Sequence, residues 1–547
     1  VPDTLRNAIA YSRLGASIQR YNSFYNDTWY SYKRSFTGEH DVLLNAGFRY
    51  HDSETEQDYA QGYNSPTDDF VTIGNGVTSL RVLSGDFGKW RWLNTYLAAN
   101  YSFKSKYFLS ANLSVDGSSR FGRDIPGAMS ISGNKYAVLP SVAAGWLISS
   151  ENFMASMNSV NLLKLRASYG LTGNDDIGNY NTKSYYRPQN LLGTQGLVLA
   201  NIANSQLQWE LSKKANLGLD VALFNERVSF SIDAYHNVTS KMITLDPVSS
   251  AAGMQYVISN SGGMRTNGID LSLNSRIINT AFKFDVGLNV STYSNRITKL
   301  PADNVTTNYS GATMITRIGQ PTAMFYGYKT GGVYASNAQA AAANLSIRGT
   351  DGNLIPFRGG DVRFVDTNGD RVIDENDRQI IGNPNPDFIG SFNGKLGYKN
   401  ISVTAIFTFS SGNQVYNGPR AILQSLSSPA NQFGNIVNRW RFDGQVTDVP
   451  RASYGDPMGN ARFSDRFIED GSYLRLRTLA INYNLPVKPK FLKYAIIYLT
   501  ADNLFTVTKY LGYDPEFSAS GSPLTQGIDT ALEPQFRSAQ LGVRIGL

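Results

Sequence analysis

Apolar and polar residues alternate strictly in segments of about ten residues, and this period of two is the strongest regular signal in the chain. In 539–547, Leu541, Val543, Ile545 and Leu547 fall on one side, and Gln540, Gly542, Arg544 and Gly546 on the other. In 215–223, Leu217, Leu219, Val221 and Leu223 oppose Asn216, Gly218, Asp220 and Ala222. In 282–290, Phe282, Phe284, Val286, Leu288 and Val290 oppose Lys283, Asp285, Gly287 and Asn289. In 163–171, Leu163, Leu165, Ala167, Tyr169 and Leu171 oppose Lys164, Arg166, Ser168 and Gly170. Each segment predicts an extended strand with one apolar face and one polar or small face.

A soluble sandwich alternates too, so link lengths have to discriminate. Short links (Phe103–Lys106, Phe224–Arg227, Ile277–Ala281, Tyr398–Asn400, Leu485–Leu492) alternate with long ones (53–90, 117–134, 172–207, 297–386, 412–470, 506–535). Short turns at one end and long loops at the other, over about sixteen strands, are the pattern of a transmembrane antiparallel β-barrel. In lipid every backbone polar group must be paired, so such a sheet closes on itself. The expected fold is therefore an all-β outer-membrane barrel over 1–547, with 297–386 as a long extracellular loop region. Arg166, Asp220, Lys283, Asp285 and Arg544 are then expected on the polar, lumenal face, and Leu163, Leu219, Phe284 and Val543 on the lipid face.

Composition agrees: 32 Tyr, 28 Phe and 50 Gly accompany only 17% charged residues, a profile of half-buried strands. Cys is absent, so disulfides and thiolate metal sites are excluded. The net charge of +7 is dispersed, without a Lys/Arg run of five, which argues against a nucleic-acid partner. No apolar run reaches the length of a membrane helix of about 18 residues.

Catalytic signatures are missing. His40, His51 and His236 stand in no zinc motif and read as surface or turn residues, and neither a nucleophile elbow nor a phosphate loop is present. An enzyme is not expected. One stretch invites metal chemistry, RFVDTNGDRVIDENDRQIIGNPNPDF at 363–388. Numbered as a calcium loop, Asp366, Asn368 and Asp370 take positions 1, 3 and 5, the Val372 carbonyl position 7, and Asp377 position 12, a set of hard oxygens for Ca²⁺. Arg371 stands where Gly normally makes the turn, and no flanking helices are evident. The competing expectation is an Asx-turn loop whose side chains hydrogen-bond their own backbone.

Several stretches in order resemble the SusC/RagA type of TonB-dependent outer-membrane transporter. They are DGSSRFG (116–122), GLTGNDDIGNY (170–180), LQWELSKKANLGLDVALFNERVSFSIDAYH (207–236), MRTNGIDL (264–271), DTNGDRVIDENDRQIIGNPNPDF (366–388), SSGNQVYN (410–417) and DNLFTVTKYLGYDPE (502–516). The resemblance implies a barrel of about 22 strands with a plugged lumen, a TonB-contacting segment, and a SusD-like surface lipoprotein over the mouth. It implies uptake of oligosaccharides or peptides. Two departures are noted: no plug-like sequence or TonB box precedes Ala10, and the last residue is Leu547 rather than an aromatic. Expected partners are thus the lipoprotein, TonB through a segment absent here, lipid and lipopolysaccharide, and a second chain completing the barrel or a larger assembly. A non-transporting scaffold and a passive pore remain the alternative roles, and the sequence names no substrate.

Overall fold

The alternating segments fold as strands of one antiparallel sheet. The computed structural model describes residues 12–546 apart from 66–71, 192, 193, 250, 252, 487–491 and 518. The readings that rest on the residues before Ala10, on most of the link after Leu485, and on Leu547 lie outside the described residues.

The strands are β1 (Arg13–Phe36), β2 (His40–Tyr63), β3 (Val82–Phe103), β4 (Tyr107–Ser118), β5 (Asn134–Leu147), β6 (Val160–Asn174), β7 (Glu210–Leu223) and β8 (Val228–Pro247). They continue as β9 (Tyr256–Asn279), β10 (Phe282–Lys299), β11 (Phe388–Tyr398), β12 (Ile401–Ser411), β13 (Tyr473–Leu485), β14 (Tyr494–Thr508) and β15 (Ser538–Gly546). Hydrogen-bonded order follows chain order through β1–β15, and a three-residue strand, Met129–Ile131, pairs β5 to make sixteen among the described residues. Short turns use mirror-image geometry suited to strand twist: Thr37 and Gly38 have φ of 52° and 72°, and Lys104 and Ser105 have 51° and 53°.

The expected 53–90 link is corrected. β2 runs on to Tyr63 and β3 starts at Val82, so most of that span is paired strand, from Ser53 opposite Trp90 to Gln61 opposite Val82. The three histidines lie in strands rather than turns: His40 bonds Tyr101 Oη at 2.8 Å, His51 bonds Ser23 Oγ at 2.8 Å, and His236 bonds Asn267 Oδ1 at 2.6 Å.

Packing divides the chain into two units. The first runs through Trp146 and includes Ala167–Ala215 and Thr239–Gly262. Its buried cluster is Phe121, Ile125, Ala137, Leu139, Ile177, Leu207 and Trp209, so segments between strands cover one face of β5.

The second unit comprises Leu147–Arg166, Asn216–Val238 and the chain from Gly263. Its sheet has two chemically distinct faces. Phe284, Leu396, Val403, Ile481, Leu499 and Leu541 are direct partners across β10–β15. One residue along, Asp285, Lys395, Thr404, Ala480, Thr500 and Gln540 form the opposing row. Leu396, Leu499, Leu541 and Val543 are exposed, and Leu219 and Phe284 are half-buried and belong to no core cluster. A broad exposed apolar face of this kind marks a membrane or binding surface rather than a soluble one.

The core of this unit lies in the connections. Tyr334, Phe357, Val362, Phe364 and Ile373, from the β10–β11 link, pack with Met458 from the β12–β13 link. Buried Asp361 joins the same links, accepting from Arg451 Nε at 2.8 Å, Asn460 Nδ2 at 3.0 Å and the Arg358 amide at 2.9 Å. A fully buried carboxylate is stable only when so paired.

Candidate functional site

The 366–377 loop hangs from that core. Ile373 is buried in it, and its amide donates to the Ser346 carbonyl at 2.8 Å while the Ser346 amide donates to Arg371 at 3.0 Å. Between these anchors the chain turns on its own side chains. Asp366 accepts from the amides of Gly369 at 2.7 Å and Arg371 at 3.0 Å. Asn368 accepts from Asp370 at 3.0 Å, and Asp370 from Val372 at 2.8 Å.

Asp377 is fully buried; it accepts from the Thr367 amide at 2.8 Å and the Asp374 amide at 2.9 Å, closing a capping box on the short 3₁₀ turn Glu375–Asp377. These are Asx-turn bonds. Arg371 has φ 67°, the left-handed turn that Gly supplies at this place in a calcium loop, at a cost of about 1 kcal/mol for a residue with a Cβ. Among the described residues no group of three or more His, Asp or Glu side chains stands in metal-holding geometry.

A groove that the sequence reading missed lies in the first unit. It has a volume of about 220 Å³ and is lined by Phe87, Lys89, Trp90, Arg120, Tyr180 and Lys183, among others. The Arg120 guanidinium lies 4.3 Å from the centroid of the Trp90 ring and donates to Asn179 Oδ1 at 2.9 Å. The Lys89 amide donates to Tyr180 Oη at 2.9 Å, and its ammonium pairs with Glu54 at 2.7 Å. Charge and aromatic surface together suit polar ligands with flat apolar faces. Arg120 belongs to the DGSSRFG stretch, so its motif was visible while its partner, distant in sequence, was not.

The polar face of the second unit is held by a three-residue ion cluster. Arg166 donates from Nε and Nη2 to Asp220 at 2.7 and 2.9 Å, and from Nη1 and Nη2 to Asp233 at 3.0 and 2.9 Å. A planar guanidinium can serve both carboxylates at once. Gly218 makes room for it, since a Cβ there would lie 2.7 Å from Arg166 Cζ.

A sixteen-stranded antiparallel sheet with one exposed apolar face, a charged opposing face and folded connections defines an outer-membrane β-barrel. The chain belongs to the family described as TonB dependent receptor-like, beta-barrel, which it matches over residues 3–504. That family comprises receptors and transporters of the outer membrane, not enzymes. TonB-dependent receptor P3 of Formosa agariphila is 32% identical over 95% of this chain and 52% of its own length. TonB-dependent receptor SusC of Bacteroides thetaiotaomicron is 26% identical over 96% of this chain and 50% of its own length. Among solved structures, the RagAB peptide transporter superposes with a TM-score of 0.80 at 26% identity, over 97% of this chain and 56% of that one. The chain thus spans about half the length of the curated relatives it matches.

Proposed function

We propose that this barrel serves outer-membrane import of oligosaccharides or peptides too large for porins, together with a SusD-like surface lipoprotein. The observation that carries this reading is the superposition on the RagAB peptide transporter over nearly the whole chain. The folded body of the β10–β11 and β12–β13 connections supports it, because rigid loops position binding groups better than mobile ones. We assign coupling to TonB to the part of the relatives' length that this chain does not match.

Among the described residues, β1 and β15 each have one partner in the strand order. Because lipid tolerates no open sheet edge, we assign their free edges to wall pairing in the whole protein. The test is deletion of the full-length gene, followed by growth on defined oligosaccharides or peptides as sole carbon source. Loss of growth on one class, restored by the gene and abolished by an uncoupler, supports energised import. Uptake that survives the uncoupler points to a passive pore, and unchanged growth on every substrate overturns the reading in favour of a scaffold.

A further inference from the structure

We propose that a second cavity in the first unit binds a primary alkylammonium group. This inference stands apart from the import reading, since it concerns one cavity whatever crosses the barrel. The cavity, about 160 Å³, is lined by Trp92, Asp116, Phe121, Asp175 and Trp209, with Ala137, Leu139 and Gly173 completing the wall. Strand register explains how it forms. Asn94 lies opposite Asp116, and Asp116 opposite Ala137, so these three share a face of β3, β4 and β5, joined by Trp92 and Leu139 two residues away. Phe121 and Trp209, with centroids 4.9 Å apart, pack above them. Gly173 keeps the space open: a Cβ there would meet Leu139 at 3.2 Å and Trp209 at 3.5 Å.

The cavity holds acceptors without a cation. Asp116 is met only by neutral donors, the Asn94 amide group and Ser114 Oγ, the latter at 2.8 Å. The Asp175 side chain takes no hydrogen bond or ion pair among the described residues, and its Oδ2 is buried. Behind the lining, Asn94, 3% exposed, leaves its buried Oδ1 unpaired. Two guanidiniums approach without pairing with either carboxylate among the described residues: Arg49, which acts on Asp116 through space, pairs with Asp27 at 3.1 Å, and Arg120 reaches the Asp175 backbone carbonyl at 3.4 Å but pairs with exposed Asp176 at 3.6 Å. Two carboxylates facing one space cost free energy until a donor-rich cation joins them.

The walls select the kind of cation. Three aromatic rings favour a weakly hydrated organic cation through their faces, whereas a metal ion of high charge density would need more oxygen ligands than two carboxylates provide. An ammonium brings three N–H donors and no acceptor. The volume is close to the roughly 150 Å³ of an engineered cavity that takes up benzene, so a head group with four or five carbons fits. The source is a free amine, a lysine-bearing peptide or an amino sugar.

Calorimetric titration of the detergent-purified full-length protein with n-butylammonium tests the proposal, with n-butanol and sodium as controls. Saturable binding of n-butylammonium alone is expected, weakened by about tenfold or more in Asp175→Asn. That variant removes a charge without breaking any described hydrogen bond, and an unchanged melting temperature verifies its fold. Competition by a lysyl peptide or by glucosamine oligomers identifies the source, and competition by neither leaves the free amine. Absence of saturable binding overturns the proposal, as does equal binding by Asp175→Asn.

Discussion

Phe392 stacks on Phe407 with ring centroids 4.5 Å apart and planes within 11° of parallel. The two are direct partners on β11 and β12, on the apolar face that carries the row from Phe284 to Leu541. Stacked pairs of this kind stabilise neighbouring strands beyond their area alone. Because the face meets hydrocarbon, a charge placed in the row is expected to be expensive. Val403→Arg should destabilise the barrel by about 2 to 4 kcal/mol, while Thr404→Arg, one residue along on the other face, should cost much less. Urea unfolding in lipid, followed by the heat-dependent gel shift, reads the difference.

Arg166 is expected to be the polar counterpart. Removing it in Arg166→Ala leaves Asp220 and Asp233 facing each other. The loss should be about 1 to 3 kcal/mol, below the cost of a fully buried pair because all three side chains keep some solvent contact. Arg166→Lys should recover only part, since a point charge cannot serve both carboxylates bidentately. Thermal unfolding of the three proteins in one detergent checks the order wild type, lysine variant, alanine variant.

Asp456 gives the β12–β13 connection a pH response. Burial holds its carboxyl above the ordinary value of 3.8, against the lowering effect of the Ala461 and Asn460 amides that it accepts from. A folded pKa above the unfolded one means that the folded state binds more protons in the interval between them. The stabilisation is therefore full below 3.8 and is lost as pH rises through the raised value. Amide hydrogen exchange across residues 453–462, corrected for intrinsic rates, should speed up over that interval, and Asp456→Asn should flatten the response.

The strands were legible where one face meets lipid and the other water. Residues 163–171, 215–223 and 282–290 alternate cleanly and fall within β6, β7 and β10. The distal halves of β2 and β3 were missed because Ser53–Tyr63 carries Glu54, Glu56 and Asp58 on one face and Ser53, Thr55, Gln57 and Gln61 on the other, and a strand polar on both sides has no apolar period to read. The connection core was equally hidden. Many of its strands are short, three residues in Val362–Phe364 and four in Met324–Gly327, too few to set a period apart from the flanking sequence. Asp361 with Arg451, and Arg120 with Trp90, depend on partners far along the chain, which spacing alone does not pair. The 366–377 loop was legible as a turn because its Asx side chains bond within five residues.

Calcium at that loop is the remaining test. The left-handed Arg371 removes the steric objection raised by the missing Gly, and each carboxylate oxygen that accepts one amide keeps a second lone pair for a cation. The amide bonds also mean that the loop has a shape of its own without an ion. If Asp366, Asn368, Asp370, the Val372 carbonyl and Asp377 hold Ca²⁺, binding is expected at about 10⁻⁴ to 10⁻³ M, with metal–oxygen distances of about 2.3 to 2.6 Å. Chelation should then raise hydrogen exchange in 360–385 and leave β10 and β11 unchanged. Asp370→Ala should abolish the calcium dependence while sparing the fold, because Asp370 is exposed and accepts only the Val372 amide and an Asn368 side-chain bond. Exchange in 360–385 that is identical with calcium and with chelator would leave the Asx turn as the whole explanation of the motif.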